Sequence, residues 1–190
     1  MSLPIRHLPN ILTLIRIVLV LPFIWFMSEA QYDRALWTLL IAGVSDGVDG
    51  FLARQFNWRS QFGSIADPVA DKILLVSTFL ALALTDNMAW WVVAVIVVRD
   101  IGIFIGAIAY WFLVGRYEGR PTFLSKICTF LMIVLGLGVL CNLVWTLIPA
   151  VWLTYLSYVV VALCIISMLQ YTMLGVQGYR AKQRGTNHHA

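Results

Sequence analysis

Long apolar stretches, broken at regular intervals by short polar links, dominate the chain. Residues 127–179 carry no Asp, Glu, Lys, Arg or His over 53 positions. A bilayer span needs about 20 mostly apolar residues, so this stretch predicts two spans, with a turn near Asn142 to Pro149. Counting forward from the start, spans fall near 9–28, 35–56, 62–85, 88–114, 122–142 and 150–176. The expected fold is an all-α integral membrane protein of six transmembrane helices. It forms a single domain over residues 1–190, with no internal repeat. The segment before Asn10 holds Pro4 and Pro9 and is expected to lie along the membrane surface as a short interfacial helix. Arg16 interrupts the first apolar run and no small-x-small cleavage site follows, so that run reads as a retained helix rather than a secretory signal.

Composition agrees with this reading. Apolar residues make up 61% of the chain and charged residues 12%, against roughly 45–50% and 25% in soluble domains. Mean hydropathy is +0.87. The three cysteines, Cys128, Cys141 and Cys164, lie in apolar runs without metal-like spacing and read as small buried hydrophobes. A net charge of +4 raises nucleic acid as a partner, but in such a chain basic loops set topology, and none is expected. With the N-terminus in the cytoplasm, nine basic residues (Arg6, Arg54, Arg59, Arg116, Arg120, Lys126, Arg180, Lys182 and Arg184) share the cytoplasmic side. The opposite loops hold only Arg34, beside Glu29, Asp33 and Asp86.

Five of the nine acids fall inside apolar stretches. Charge in hydrocarbon is costly and marks a functional candidate. Asp46 and Asp49 lie in the second span, three apart, and Asp67 and Asp71 in the third, four apart. At 100° per residue each pair shares one helical face. The polar link Asn57 to Gln61 separates the two spans. Asp46 and Asp71 each lie about twelve residues from its centre, and Asp49 and Asp67 about nine, so an antiparallel hairpin sets them at matching depth. Four bare carboxylates in one volume would repel and take up protons. Divalent cations remove the conflict, and oxygen-only ligation suits Mg²⁺, Mn²⁺ or Ca²⁺ rather than zinc. Paired ions held by carboxylates are the usual apparatus for displacement at phosphorus. Small residues beside the acids leave room for a phosphate or nucleotide.

These residues carry a resemblance. Asp46-x2-Asp49-Gly50-x2-Ala53-Arg54-x8-Gly63-x3-Asp67-x3-Asp71 resembles the signature of the CDP-alcohol phosphatidyltransferase family at all eight specified positions. The similarity extends to the Asn10-x2-Thr13-x2-Arg16 start and the six-span layout. It implies a six-helix homodimer with a cytoplasm-facing polar cavity, which transfers a phosphatidyl group from CDP-diacylglycerol to an alcohol and releases CMP. It further implies that Asp46, Asp49 and Asp67 ligate metal, as two Mg²⁺ or Mn²⁺ ions, and that Asp71 ligates metal and takes the acceptor's proton. Gly50, Ala53 and Arg54 would line the cytidine diphosphate site, with Gly63 allowing close helix approach. The sequence alone does not decide between Asp71 and Asp67 as base.

Other polar groups have two readings each. Arg99 and Asp100 in the fourth span form either a self-contained ion pair or, through Arg99, an anion site for the acceptor. Arg120 and Lys126 either anchor the fifth helix at the membrane surface or bind acceptor phosphate. Asn10, Thr13 and Arg16 either cap the nucleotide site or pack helices. Lys72 points about 100° away from Asp71 and reads as a snorkelling or paired residue.

Two branches of the family fit, one using glycerol 3-phosphate and the other, of the cardiolipin synthase type, using phosphatidylglycerol. Asp100 after Arg99, the Pro121-Thr122-Phe123-Leu124-Ser125-Lys126 string, and Cys128 in place of a second lysine favour phosphatidylglycerol. A cation transporter is the reading from another class, but no acidic residue continues the path toward the opposite face. A bacterial inner membrane is the expected location.

Overall fold

A computed structural model describes residues 8–55, 63–113 and 122–186; within it, residues 8–13, 46, 48–55, 63–68, 111–113 and 179–186 are described by backbone alone. The described chain is all helical, in the order α1 (Leu8–Ser28), α2 (Tyr32–Gln55), α3 (Gly63–Leu84), α4 (Trp90–Leu113), α5 (Phe123–Trp145) and α6 (Ala150–Thr186). These are the six expected helices, with shifts at their ends. α5 runs on through Asn142 to Trp145, because nothing before Thr146 breaks it. α6 continues to Thr186, about ten residues past its apolar stretch. The interfacial helix expected before Asn10 lies outside the described residues, except that α1 already begins at Leu8. Pro9 sits in its first turn, where a missing N–H costs nothing.

Among the described residues, three helices are long and apolar enough to cross a membrane: Trp90–Tyr110, Phe123–Trp145 and Ala150–Gly178. Leu14–Ser28 is a shorter apolar helix. α2 and α3 carry the carboxylates that dilute their hydropathy. The outward faces are apolar as well. Val98, Ile101, Phe104, Ile105 and Ile108 of α4 are all exposed, as are Trp152, Tyr155, Val159 and Ile166 of α6. Water would not tolerate so much contiguous apolar surface on a monomer, whereas lipid would cover it.

Three described turns end their helices on a residue with positive φ: Ala30 (54°), Asp86 (56°) and Thr146 (49°). The first two close Schellman motifs. Gln31 N–H donates to Phe26 C=O (2.8 Å) and Ala30 N–H to Met27 C=O (3.2 Å); Asn87 and Asp86 repeat the pattern on Leu82 (2.9 Å) and Ala83 (3.1 Å). Thr146 N–H makes the simpler bond to Asn142 C=O at 2.9 Å.

The helices pack as two groups. In the first, α1 packs along both α2 and α3, and the C-terminal half of α5 joins them. α1 buries the stripe Arg16, Val20, Phe23 and Met27, at the i, i+4, i+7, i+11 spacing of one helical face. Buried alanines on the other two helices, Ala35, Ala42, Ala70 and Ala81, allow backbones to approach closely. In the second group, α4 packs on α6, together with the N-terminal half of α5. Trp91 stacks on Tyr158, Arg99 bonds Ser167, and Tyr110 lies against Gly178, so α4 and α6 run in the same direction. The Cys128 and Cys164 thiols touch at 3.4 Å, buried between α5 and α6, and Cys141 is half-buried. All three are free thiols, in keeping with their reading as small core residues.

Candidate active site

The signature residues fall on two helices of the first group. Asp46, Asp49, Gly50, Ala53 and Arg54 lie on α2, and Gly63, Asp67 and Asp71 on α3. Nothing interrupts either helix across them, so the spacing of three and of four is genuinely helical. Of the eight, Asp71 has a described side chain; the side chains of Asp46, Asp49, Ala53, Arg54 and Asp67 lie outside the described residues, and Gly50 and Gly63 are described by backbone alone. So do those of Asn10 and Thr13 on α1.

Asp71 is held by Arg16, which the sequence had left between capping the nucleotide site and packing helices. Arg16 Nη1 donates to Asp71 Oδ1 at 2.5 Å, across 55 residues of chain. Arg16 is fully buried, while 49% of the Asp71 side chain is exposed. The reason lies in the α1 stripe. A guanidinium on the same face as Val20, Phe23 and Met27 must enter the packed interior, where it needs an anionic partner. α1 lies against α3, and Asp71 supplies that partner. The sequence signal was present but incomplete, because a basic residue inside a span demands an acid without saying which one.

The donor set on α2 and α3 is made of carboxylates, without nitrogen or sulfur ligands, and it fits hard divalent cations. Among the described residues, no three His, Cys, Asp or Glu side chains converge, since three of the four aspartates lie outside them.

Arg99 and Lys126, two of the residues expected to bind acceptor, belong to the second group. Arg99 is buried with Asp100, and its Nη1 donates to Asp100 Oδ1 at 2.6 Å. Its Nη2 donates to Ser125 Oγ at 2.6 Å and to Ser167 Oγ at 3.2 Å. Arg99 therefore ties α4 to α5 and α6, and the ion-pair reading describes its geometry better than an open anion site does. Ser125 and Ser167 were not anticipated as its partners; hydroxyls in apolar runs carry little signal of their own. Lys126 is exposed, beside an open cleft lined by Ser125, Thr129, Phe130 and Ile133. Arg120 lies outside the described residues.

Residues 6–176 match the family model described as CDP-alcohol phosphatidyltransferase. The chain belongs to the CDP-alcohol phosphatidyltransferase family. The match takes in the signature and all six helices up to Val176. Among curated relatives of this phosphatidyltransferase, one from Salmonella typhimurium (strain LT2) is 34% identical over 182 residues, covering 87% of this chain and 92% of the relative. It is named "CDP-diacylglycerol--glycerol-3-phosphate 3-phosphatidyltransferase". The Escherichia coli K12 protein of the same name is 34% identical over 178 residues, with the same coverage. A "Probable phosphatidylglycerophosphate synthase" of Mycobacterium tuberculosis (strain H37Rv) is 35% identical over 105 residues, 52% of this chain and 50% of the relative. The match thus spans about half the length of the mycobacterial relative.

Proposed function

We propose that this chain transfers the phosphatidyl group of CDP-diacylglycerol to glycerol 3-phosphate and releases CMP. The observation that carries the reading is the complete carboxylate signature on α2 and α3 of a family member. Its acceptor is drawn from relatives similar over 87% of the chain, whose printed names specify glycerol 3-phosphate. These relatives favour that acceptor over the phosphatidylglycerol expected from Asp100 and Cys128. Position 128 also loses its force as an acceptor signal, because Cys128 is buried against Cys164.

In this reading all six helices span a bacterial inner membrane as a homodimer, with the carboxylates in its cytoplasmic half. Asp46, Asp49, Asp67 and Asp71 hold two divalent cations, Mg²⁺ or Mn²⁺. Bound there, the cations supply charge neutralisation at the phosphate oxygens and at the departing CMP. Gly50 and Ala53 leave room for the cytidine diphosphate, beside Arg54, Asn10 and Thr13. Asp71 accepts the proton of the acceptor hydroxyl at a carboxylate oxygen. The acceptor oxygen forms its bond to the phosphorus bearing the diacylglycerol, and the bond to CMP breaks, with CMP keeping the electron pair. Lys126 and Arg120 attract the acceptor's phosphate, an interaction suited to both side chains.

The test is CMP release by purified protein given CDP-diacylglycerol, Mg²⁺ or Mn²⁺, and each acceptor separately. Release with glycerol 3-phosphate, abolished by a chelator and restored by Mn²⁺, supports the reading. Release with phosphatidylglycerol alone returns the acceptor to the expectation drawn from Asp100 and Cys128. No CMP with either acceptor defeats the phosphatidyltransferase assignment for this chain.

A further inference from the structure

We propose that Arg16 is a positioning residue for the reaction: its guanidinium fixes one carboxylate oxygen of Asp71 and so sets the direction in which Asp71 meets the acceptor hydroxyl. The inference rests on the phosphatidyltransferase reading above and adds to it a residue outside the eight-position signature.

Three observations carry it. Arg16 occupies a core position of α1, fully buried in line with Val20, Phe23 and Met27. Its Nη1 bonds Asp71 Oδ1 at 2.5 Å, a short charge-assisted contact. The pair is also lopsided, since the arginine end has no exposure while 49% of the Asp71 side chain remains exposed. An ion pair that served packing alone would bury both ends, as Arg99 and Asp100 do at 4% and 5% exposure. Arg16 holds the carboxylate from the buried side, and the Asp71 side chain stays half exposed.

Arginine keeps its proton in proteins, so Arg16 is neither acid nor base. Its influence passes through Asp71. A carboxylate gripped at one oxygen loses rotational freedom before the acceptor arrives. Misplacement of a reacting group by about 1 Å costs on the order of 100-fold in rate.

The experiment uses the full chain in detergent. Wild type, Arg16→Lys, Asp71→Asn and the double variant are compared in CMP release, in Mn²⁺ binding by electron paramagnetic resonance, and in thermal unfolding. Lysine keeps the charge but not the rigid fork. The expected result for Arg16→Lys is a kcat lowered about 10- to 100-fold. KM values for donor and acceptor stay within about threefold, and Mn²⁺ remains bound. In the Asp71→Asn background the same change lowers the residual rate by less than about twofold, because its route of action is already gone.

A wild-type kcat in Arg16→Lys overturns the proposal. So do equal losses in both backgrounds, which would place Arg16 on the substrate itself. A kcat loss matched by lost Mn²⁺ binding and a lowered unfolding temperature would make Arg16 structural only, and also overturns it. Where Arg16→Lys does not fold, Asp71→Glu gives the second reading: it retains the ion pair but shifts the reactive oxygens by one methylene. Wild-type kcat in Asp71→Glu then overturns the proposal, and a loss of about 10-fold or more with Mn²⁺ still bound supports it. A wild type that releases no CMP defeats the functional reading and this inference together; an active wild type with an unaffected Arg16→Lys defeats this inference alone.

Discussion

Among the described residues two arginines are buried, each against an aspartate, yet the two pairs are built differently. Arg99 and Asp100 are sequence neighbours on α4, both inside, and the guanidinium also reaches Ser125 and Ser167. Arg16 and Asp71 lie 55 residues apart on different helices, and the aspartate end stays half exposed. A pair closed at both ends can hold helices together but meets no substrate. A pair closed at one end can present its carboxylate to chemistry while its charge is still balanced from within. Burial of the partner therefore separates the two aspartates, although both stand in helices and both touch arginine.

The largest effect expected is on the open pair. Asp71→Asn removes the proposed base, and loss of base catalysis lowers turnover by roughly 10²–10⁴-fold. Titration calorimetry with a CDP-donor analogue should still detect binding. If CMP release continues at the wild-type rate, Asp71 is not the base and the comparison loses its functional half.

The closed pair should fail in stability. Arg99→Met breaks the buried pair by removing one partner of Asp100, which costs about 3–5 kcal/mol. Its unfolding midpoint in detergent should drop below that of wild type. Arg99→Met combined with Asp100→Leu should recover most of the loss, because an apolar pair of similar size removes both charges. A single variant as stable as wild type would show that the closed pair holds nothing together.

Much of this contrast was hidden in the sequence. Helix positions were legible, because charged links and apolar runs alternate with the period a bilayer imposes. The eight signature positions were legible for another reason, since each aspartate pair repeats within about one turn of its helix and the whole spacing resembles a family signature. Arg99 with Asp100 was visible as a pair because the two are adjacent. Its bonds to Ser125 and Ser167 were not, because they depend on how α4, α5 and α6 turn about their axes. The pairing of Arg16 with Asp71 was hidden for the same reason. It needs the relative height and rotation of α1 and α3, which no local pattern encodes. Asp46, Asp49 and Asp67 remain placed by helical spacing and family signature, with their side chains outside the described residues.

A smaller effect should appear within the second helix group. A Cβ at Gly178 would lie 2.5 Å from the Tyr110 hydroxyl oxygen and 2.7 Å from a ring carbon. Tyr110 must shift for Gly178→Ala to fit, and overpacking of this kind costs about 1–3 kcal/mol. Unfolding of Gly178→Ala, alone and with Tyr110→Phe, measures that contact. Retained stability in Gly178→Ala would mean that α4 and α6 adjust at that level, and that Arg99 with its two serines carries more of their association.

The smallest effect should be a gain, in the helix group that holds the open pair. Ala30 closes the Schellman turn after α1 at a φ of 54°. A left-handed conformation costs a residue with a Cβ roughly 1–2 kcal/mol, and glycine avoids most of that. Part of the gain is lost again, because glycine has more freedom in the unfolded chain. Ala30→Gly should therefore raise the unfolding free energy by about 0.5–1 kcal/mol. Ala30 lies fourteen residues from Arg16, on the far side of the α1 stripe, so kcat should not change. The variant thus asks whether the rate of this site follows the stability of the helices that carry it. A kcat that moves with Ala30→Gly would tie catalysis to the firmness of α1 as a whole, rather than to the one contact between Arg16 and Asp71.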